Sequence, residues 1–169
     1  DSKNLGLYIC GPTVYSDTHL GHAKSYVSFD VLKRWLAYRG YEINHIQNFT
    51  DVSDETALGA SKEGIDELEF TNKYEKEFLD KMKLLSNTPA TKYTRASDFV
   101  KQIAEETKKL LSAGEAYQTD EGIFLRIKQE EHGKLLGVNL EQSLAEGTSE
   151  VDSGPKKSPH DTLLWGPPL

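Results

Sequence analysis

Leu5-Gly6-Leu7-Tyr8-Ile9-Cys10 is a short, mostly apolar run closed by Gly11-Pro12. A run of that length before a breaker pair predicts a buried strand and a turn. From Leu20 to Arg39 the period changes. Tyr26, Phe29, Val31, Leu32, Trp35 and Leu36 recur at spacings of three and four, which predicts a helix with one broad apolar face. Gly40 suits its C-terminal cap. Tyr41 to Phe49 then predicts a second strand. Strand, helix, strand is a βαβ unit, so the two strands should run parallel.

Beyond Asp51 the pattern is mostly helical. Asp54 to Glu63 reads as a short helix. Asp66 to Leu85 reads as a longer one, with Leu68, Phe70, Tyr74, Phe78, Leu79 and Met82 at helical spacing, broken by Asn87-Thr88-Pro89. Ala96 to Ala113 predicts another helix, with Phe99, Ile103, Leu110 and Leu111 inward and Lys101, Glu105, Lys108 and Lys109 outward; Gly114 ends it. Tyr117-Gln118-Thr119 and Ile123 to Ile127 flank Asp120-Glu121-Gly122, a hairpin signal. Glu146 to His160, rich in Gly, Ser, Pro and charge, is expected to be a flexible loop. Thr162 to Trp165 is a short apolar segment, and no internal repeat is present.

Composition narrows the function classes. The 169 residues suffice for one sizeable core. No apolar run approaches the roughly 18–20 residues that span a bilayer, so no membrane partner is expected. The formal charge of −7 argues against a strongly basic nucleic-acid platform in this segment. Cys10 is the single cysteine. It rules out an intrachain disulfide, suits a reducing, cytoplasmic compartment, and leaves any multi-cysteine zinc site incomplete within this chain.

The candidate chemistry sits where the first strand meets its helix: Cys10-Gly11-Pro12-Thr13-Val14-Tyr15, then His19-Leu20-Gly21-His22. In open α/β sheets, ligands bind at the carboxyl ends of strands. The helix start offers free N–H groups and a positive dipole end, which suit phosphate. Gly21 lets a nucleotide come close to the backbone. The imidazoles of His19 and His22 can donate to phosphate oxygens as charge develops in nucleotidyl transfer. Spacing alone leaves blander roles open: helix capping for the histidines, a small buried hydrophobe for Cys10, and a polar turn for Asn48, Thr50 and Asp51.

His19-Leu20-Gly21-His22 resembles the HIGH motif of class I aminoacyl-tRNA synthetases, and Cys10 to Tyr15 directly upstream is similar to the cysteinyl enzymes. Further similarities follow in order. They are Phe29-Asp30-Val31-Leu32, Tyr38-Arg39-Gly40-Tyr41, Gln47 to Val52 (QNITDV-like), Thr94-Arg95-Ala96-Ser97 (PRAT-like), Gly114-Glu115-Ala116-Tyr117, His132-Gly133-Lys134-Leu135 and Leu163-Leu164-Trp165. The resemblance implies an α/β fold. Residues 1–95 would form the first half of a Rossmann-type (HUP-like) parallel sheet with flanking helices. Residues 96–169 would be an incomplete, mostly helical connective segment with a small β-hairpin.

It also implies an activity: cysteine is activated by Mg-ATP and joined to tRNA(Cys) by an enzyme expected to act as a monomer. Cys10 would be one zinc ligand. Gly11, Thr13, Asn48, Thr50 and Asp51 would line the substrate pocket, and His19, Gly21 and His22 would hold ATP. The later zinc-ligand motifs and the KMSKS loop are absent from these 169 residues. The chain is therefore expected to be part of a longer protein and inactive alone. Ser53-Asp54-Glu55 departs from the family's TDVDDK continuation, as do Ser16, Lys24 and His132 from its common residues. Two alternatives stand beside this reading: a zinc-dependent cysteine ligase acting on an amino-sugar compound, which Val14 disfavours, and a non-catalytic nucleotide-binding paralogue.

Overall fold

The computed structural model describes residues 3–128, 137, 156–158 and 160–166. His132 and most of the expected 146–160 loop lie outside the described residues. The chain divides into two compact units, Asp1–Phe99 and Val100–Leu169.

In the first unit, β1 (Asn4–Ile9), β2 (Glu42–Phe49) and β3 (Lys92–Arg95) form a parallel sheet in the order β1-β2-β3. Helix α1 (Leu20–Tyr38) connects β1 to β2. Helices α2 (Asp54–Glu63) and α3 (Glu67–Leu84) connect β2 to β3. The expected βαβ unit is present, with Ile9 opposite Gln47. The buried centre is Val14, Phe49, Phe78 and Met82, with Tyr26, Tyr74, Leu79 and Tyr93 packed around it. Phe78 meets Phe49 and Tyr26 edge-on, and Phe49 stacks on Tyr93. Such pairings add to plain area burial.

Helix α1 overturns one expectation. Phe29, Val31, Leu32 and Trp35 are exposed; the buried residues of the helix are Asp30 and Lys33. The cause is a polar clasp to the turn after α3. The Asp30 carboxylate accepts from the Thr88 N–H at 2.8 Å and from Arg34 Nε at 2.6 Å. Lys33 Nζ donates to the carbonyls of Thr88 and Pro89 at 2.7 and 3.1 Å. Satisfied in this way, two charged residues occupy the inward stripe that apolar residues usually fill.

Strand β3 is a second departure, since no strand was expected there. It leads into a short 3-10 turn, Ala96–Phe99, where a regular helix was expected to begin. The Ser53-Asp54-Glu55 departure has a plain structural role. Ser53 caps α2, its hydroxyl accepting from the Thr56 N–H at 3.2 Å. Asp54 and Glu55 then place negative charge at the helix start, where the dipole favours it.

In the second unit, α4 (Val100–Ser112) precedes an antiparallel sheet of β4 (Ala116–Thr119), β5 (Gly122–Leu125) and β6 (Thr162–Trp165). The expected hairpin is β4–β5. Thr107 is the buried residue of α4, while Phe99 and Ile103, expected inward, are exposed. Asp161 is buried. It accepts from the Tyr117 hydroxyl and from the N–H groups of Ile127 and Ser158.

Candidate active site

The carboxyl ends of β1 and β2 meet at a turn that only glycine fits. The Gly11 N–H donates to Asn48 Oδ1 at 2.9 Å, and the Tyr8 hydroxyl donates to the same oxygen at 2.8 Å. A Cβ at Gly11 would stand 1.5 Å from the Asn48 main-chain oxygen. Past this turn the chain pairs again beside the end of β2, one residue out of the β1–β2 register. Thr50 N–H donates to the Pro12 carbonyl at 3.1 Å, Val14 N–H donates to the Thr50 carbonyl at 3.2 Å, and Thr13 pairs with Thr50. The chain therefore stays alongside the end of β2 as far as Val14 before turning to the histidines.

Cys10 is exposed at this edge. The Tyr26 hydroxyl, from α1, donates to the Cys10 carbonyl at 3.0 Å. Burial, and then the neighbouring Cys10, push the Tyr26 phenol above its ordinary value, so it stays protonated and donating. Among the described residues no group of three His, Cys, Asp or Glu is placed to hold a metal ion. Cys10 supplies at most one of the four ligands a zinc site needs, and the described residues do not place the others around it.

His19 and His22 stack at 3.9 Å between ring centroids. His19 caps α1: its Nδ1 accepts from the Gly21 N–H at 3.1 Å. His22 Nδ1 accepts from the His19 N–H at 3.3 Å. Both Nδ1 atoms are acceptors, so in the neutral rings the proton sits on Nε2. The capping role and the phosphate-binding role are thus compatible. The bonds that cap the helix fix the tautomer and leave two Nε2–H donors at its positive end. Burial holds the His22 pKa below its ordinary value; the facing His19 adds to this and Glu77 opposes it. A Cβ at Gly21 would come within 2.8 Å of the His19 ring, so this glycine makes room for the histidine it follows.

The remaining expected residues divide. Asn48 and Thr50 lie in the turn beside Gly11 and Thr13, with Asn48 Nδ2 at 3.5 Å from Thr50 Oγ1. Asp51 is buried and engaged elsewhere. Its two oxygens accept from the Ser97 N–H at 3.0 Å and the Ser97 hydroxyl at 2.5 Å. Asp51 thereby ties the end of β2 to the turn after β3. Sequence reasoning passed over Tyr26, Glu77 and Glu75 as supports of this edge. Glu77 accepts from the N–H and hydroxyl of Thr18 at 3.0 and 2.6 Å, fixing the approach to His19. Glu75 pairs with Arg95 at both carboxylate oxygens. Helical periodicity marks these acids as surface residues and carries no signal of such partners.

The model of the class I (C) tRNA synthetase catalytic domain matches residues 1–167. The chain belongs to that family. Similar proteins include cysteine–tRNA ligases of Thermococcus onnurineus (39% identical over 94% of this chain), Pyrococcus furiosus (40% over 94%) and Dehalococcoides mccartyi (39% over 98%). The chain spans 33–36% of the length of those three relatives. Two solved synthetases share the fold. One is the Agrobacterium radiobacter K84 LeuRS in a ternary complex with tRNA and LeuAMS (TM-score 0.58, 21% identity, 69% of this chain and 15% of that one). The other is the Mycobacterium tuberculosis methionyl-tRNA synthetase with methionyl-adenylate (TM-score 0.58, 17% identity, 66% and 23%). The expected α/β, Rossmann-type architecture is therefore that of this synthetase family. None of the described helices is long and apolar enough to cross a membrane.

Proposed function

We propose that this chain carries the nucleotide-binding first half of a cysteine–tRNA ligase active site. The observation that carries the reading is the stacked His19 and His22 rings, whose Nδ1 atoms take the capping bonds and so leave Nε2–H to donate, at the start of α1 beside the Cys10–Thr13 turn. Mg-ATP would lie along this edge with its phosphates at the two rings. Attack by a carboxylate oxygen of cysteine on the α-phosphorus forms a phosphorus–oxygen bond, breaks the α–β bond and expels pyrophosphate. Charge grows on the phosphate oxygens during that step, and donors already aimed at them lower its barrier without reorganising. The cysteinyl group then passes to the 3′ end of tRNA(Cys).

Gly11 and Thr13, with Asn48 and Thr50, form the floor against which the amino acid lies; Asp51 acts from beneath through Ser97. Cys10, exposed at the same edge, is read as one ligand of a zinc ion whose other ligands come from outside this chain. Zinc would bind the substrate thiolate and discriminate against serine, which lacks it. A monomer acting in the cytoplasm goes with this reading.

The test is cysteine-dependent ATP–pyrophosphate exchange, run on this chain and on a full-length protein containing it, with serine as control. Exchange by the longer protein only, with cysteine and not serine, is expected. No exchange by either, with fold and zinc content intact, would shift the assignment to a nucleotide-binding module without ligase activity.

A further inference from the structure

A cavity of about 380 Å³ lies between the sheet and the α1–α3 layer of the first unit. Its walls are mainly apolar, including Ile9, Phe29, Leu79 and Met82. Tyr26 and Phe78 also line it, and they back Cys10 and His22 from the other side. The cavity is therefore behind the candidate active site and separate from it.

Two polar side chains of β2 face this space. His45 and Gln47 are each 4% exposed. Both imidazole nitrogens of His45, and Nε2 of Gln47, have no hydrogen-bond partner among the described residues. Buried polar groups are nearly always paired, so three orphaned atoms around one cavity are an unanswered recognition pattern. Burial, with the Lys33 cation adding to it, lowers the His45 pKa to about 4, so the ring is neutral near pH 7 and presents one donor and one acceptor. Gln47 Nε2 adds donors. The charges beside His45 are already committed: Lys33 to the Thr88 and Pro89 carbonyls, and Asp30 to Arg34 and Thr88; Lys83 lines the cavity from an exposed position.

We propose that this cavity is a binding site for a small uncharged molecule with an apolar, ring-sized body and a primary-amide-like end that both accepts and donates hydrogen bonds at His45 and Gln47. An apolar enclosure with a few convergent polar groups is the usual form of a small-molecule site. A carbonyl oxygen would take a proton from Gln47 Nε2 and an amide N–H would meet the acceptor nitrogen of His45. At the polar end, Lys33 and Asp30 beside His45 are already engaged, so an ionic group gains no partner from them, and a pure hydrocarbon leaves the three atoms unpaired.

Benzamide is the probe. The isotope-labelled 169-residue chain is titrated with it, and the side-chain NMR signals of Gln47 and His45 are followed. Saturable shifts at both side chains are expected, with toluene, which lacks the polar end, binding about tenfold more weakly. Gln47→Leu and His45→Phe, each replacing an unpaired polar group with an apolar one of similar size, should weaken benzamide binding by a similar factor and leave the fold intact. An absence of saturable shifts, with contacts to water alone at Gln47, would make the cavity a hydration site and overturn the proposal. So would equal binding of benzamide and toluene by the parent chain, a comparison that needs no variant to fold. The readout is physical binding, so its failure leaves the ligase reading untouched.

Discussion

Gly11 and Asn48 are locked together through two atoms. The Gly11 N–H meets the Asn48 side-chain oxygen, while the Gly11 Cα faces the Asn48 main-chain oxygen so closely that no Cβ fits between them. Gly11→Ala must push β1 and β2 apart at the candidate substrate edge. The expected cost is about 1–3 kcal/mol of stability, as for other overpacked sites. Asn48→Ala should cost about 1–2 kcal/mol, by stranding the part-buried Gly11 N–H, while the exposed Tyr8 hydroxyl turns to water. Urea unfolding of the two variants checks both; parent-like stability of Gly11→Ala would refute the close contact.

His22→Ala in a full-length protein containing this chain should lower cysteine activation by about 10²-fold or more, the range seen when one preorganised donor is removed. The tautomer argument has its own test. Nitrogen chemical shifts of both rings at neutral pH should show Nε2 protonated and Nδ1 bare. A proton on Nδ1 of either ring would break the capping geometry described here.

His45 makes stability depend on acid. Its pKa falls from 6.5 when solvated to about 4 in the fold, chiefly by burial and then by Lys33, with Asp30 opposing. The unfolded chain therefore binds the proton more readily, and stability is lost as pH falls from about 6.5 towards 4. Between about pH 7 and pH 5 the loss from this one group is on the order of 1–2 kcal/mol. His45→Phe should flatten that part of the stability–pH curve. An unchanged slope would mean that the ring is protonated in the folded state.

Arg95→Ala should be costly. Glu75 is buried, and Arg95 holds both of its oxygens. Removing the guanidinium leaves a buried carboxylate uncompensated, for about 3–5 kcal/mol. The double change Arg95→Ala with Glu75→Gln should recover part of that loss in thermal unfolding. No recovery would show that Arg95 acts through packing alone.

Cys10→Ser in a full-length protein should reduce zinc retention after dialysis against a chelator, because a hydroxyl is a far poorer zinc ligand than a thiolate. Full zinc occupancy in that variant would remove Cys10 from the ligand set.

The sequence made some of this legible and hid the rest for identifiable reasons. The first two strands and the helix between them could be read because apolar runs and turn residues are local signals. The clustering of Cys10, Gly11, Thr13, His19 and His22 at one sheet edge followed from the same topology. Strand β3 was missed because Lys92, Thr94 and Arg95 offer no apolar alternation; its place is set by pairing with β2. The inward face of α1 was misjudged because Asp30 and Lys33 are satisfied by backbone groups 55 to 58 residues away. Likewise, nothing near Asp51 indicates that its partner is Ser97, 46 positions on.

The clasp that draws Asp30 and Lys33 inward leaves Leu32 and Trp35 facing water. Trp35 is covered only in part, by Tyr38 stacked beside it and the Arg39 guanidinium 5.7 Å from its ring centre. A chain with a net charge of −7 keeps such strips apart through mutual repulsion. Added salt shortens the reach of that repulsion while leaving apolar attraction in place. The colloidal behaviour of this chain should therefore run opposite to that of proteins that dissolve better with salt. It should stay dispersed in dilute buffer and cluster as ionic strength rises, with tryptophan fluorescence shifting to the blue as Trp35 leaves water.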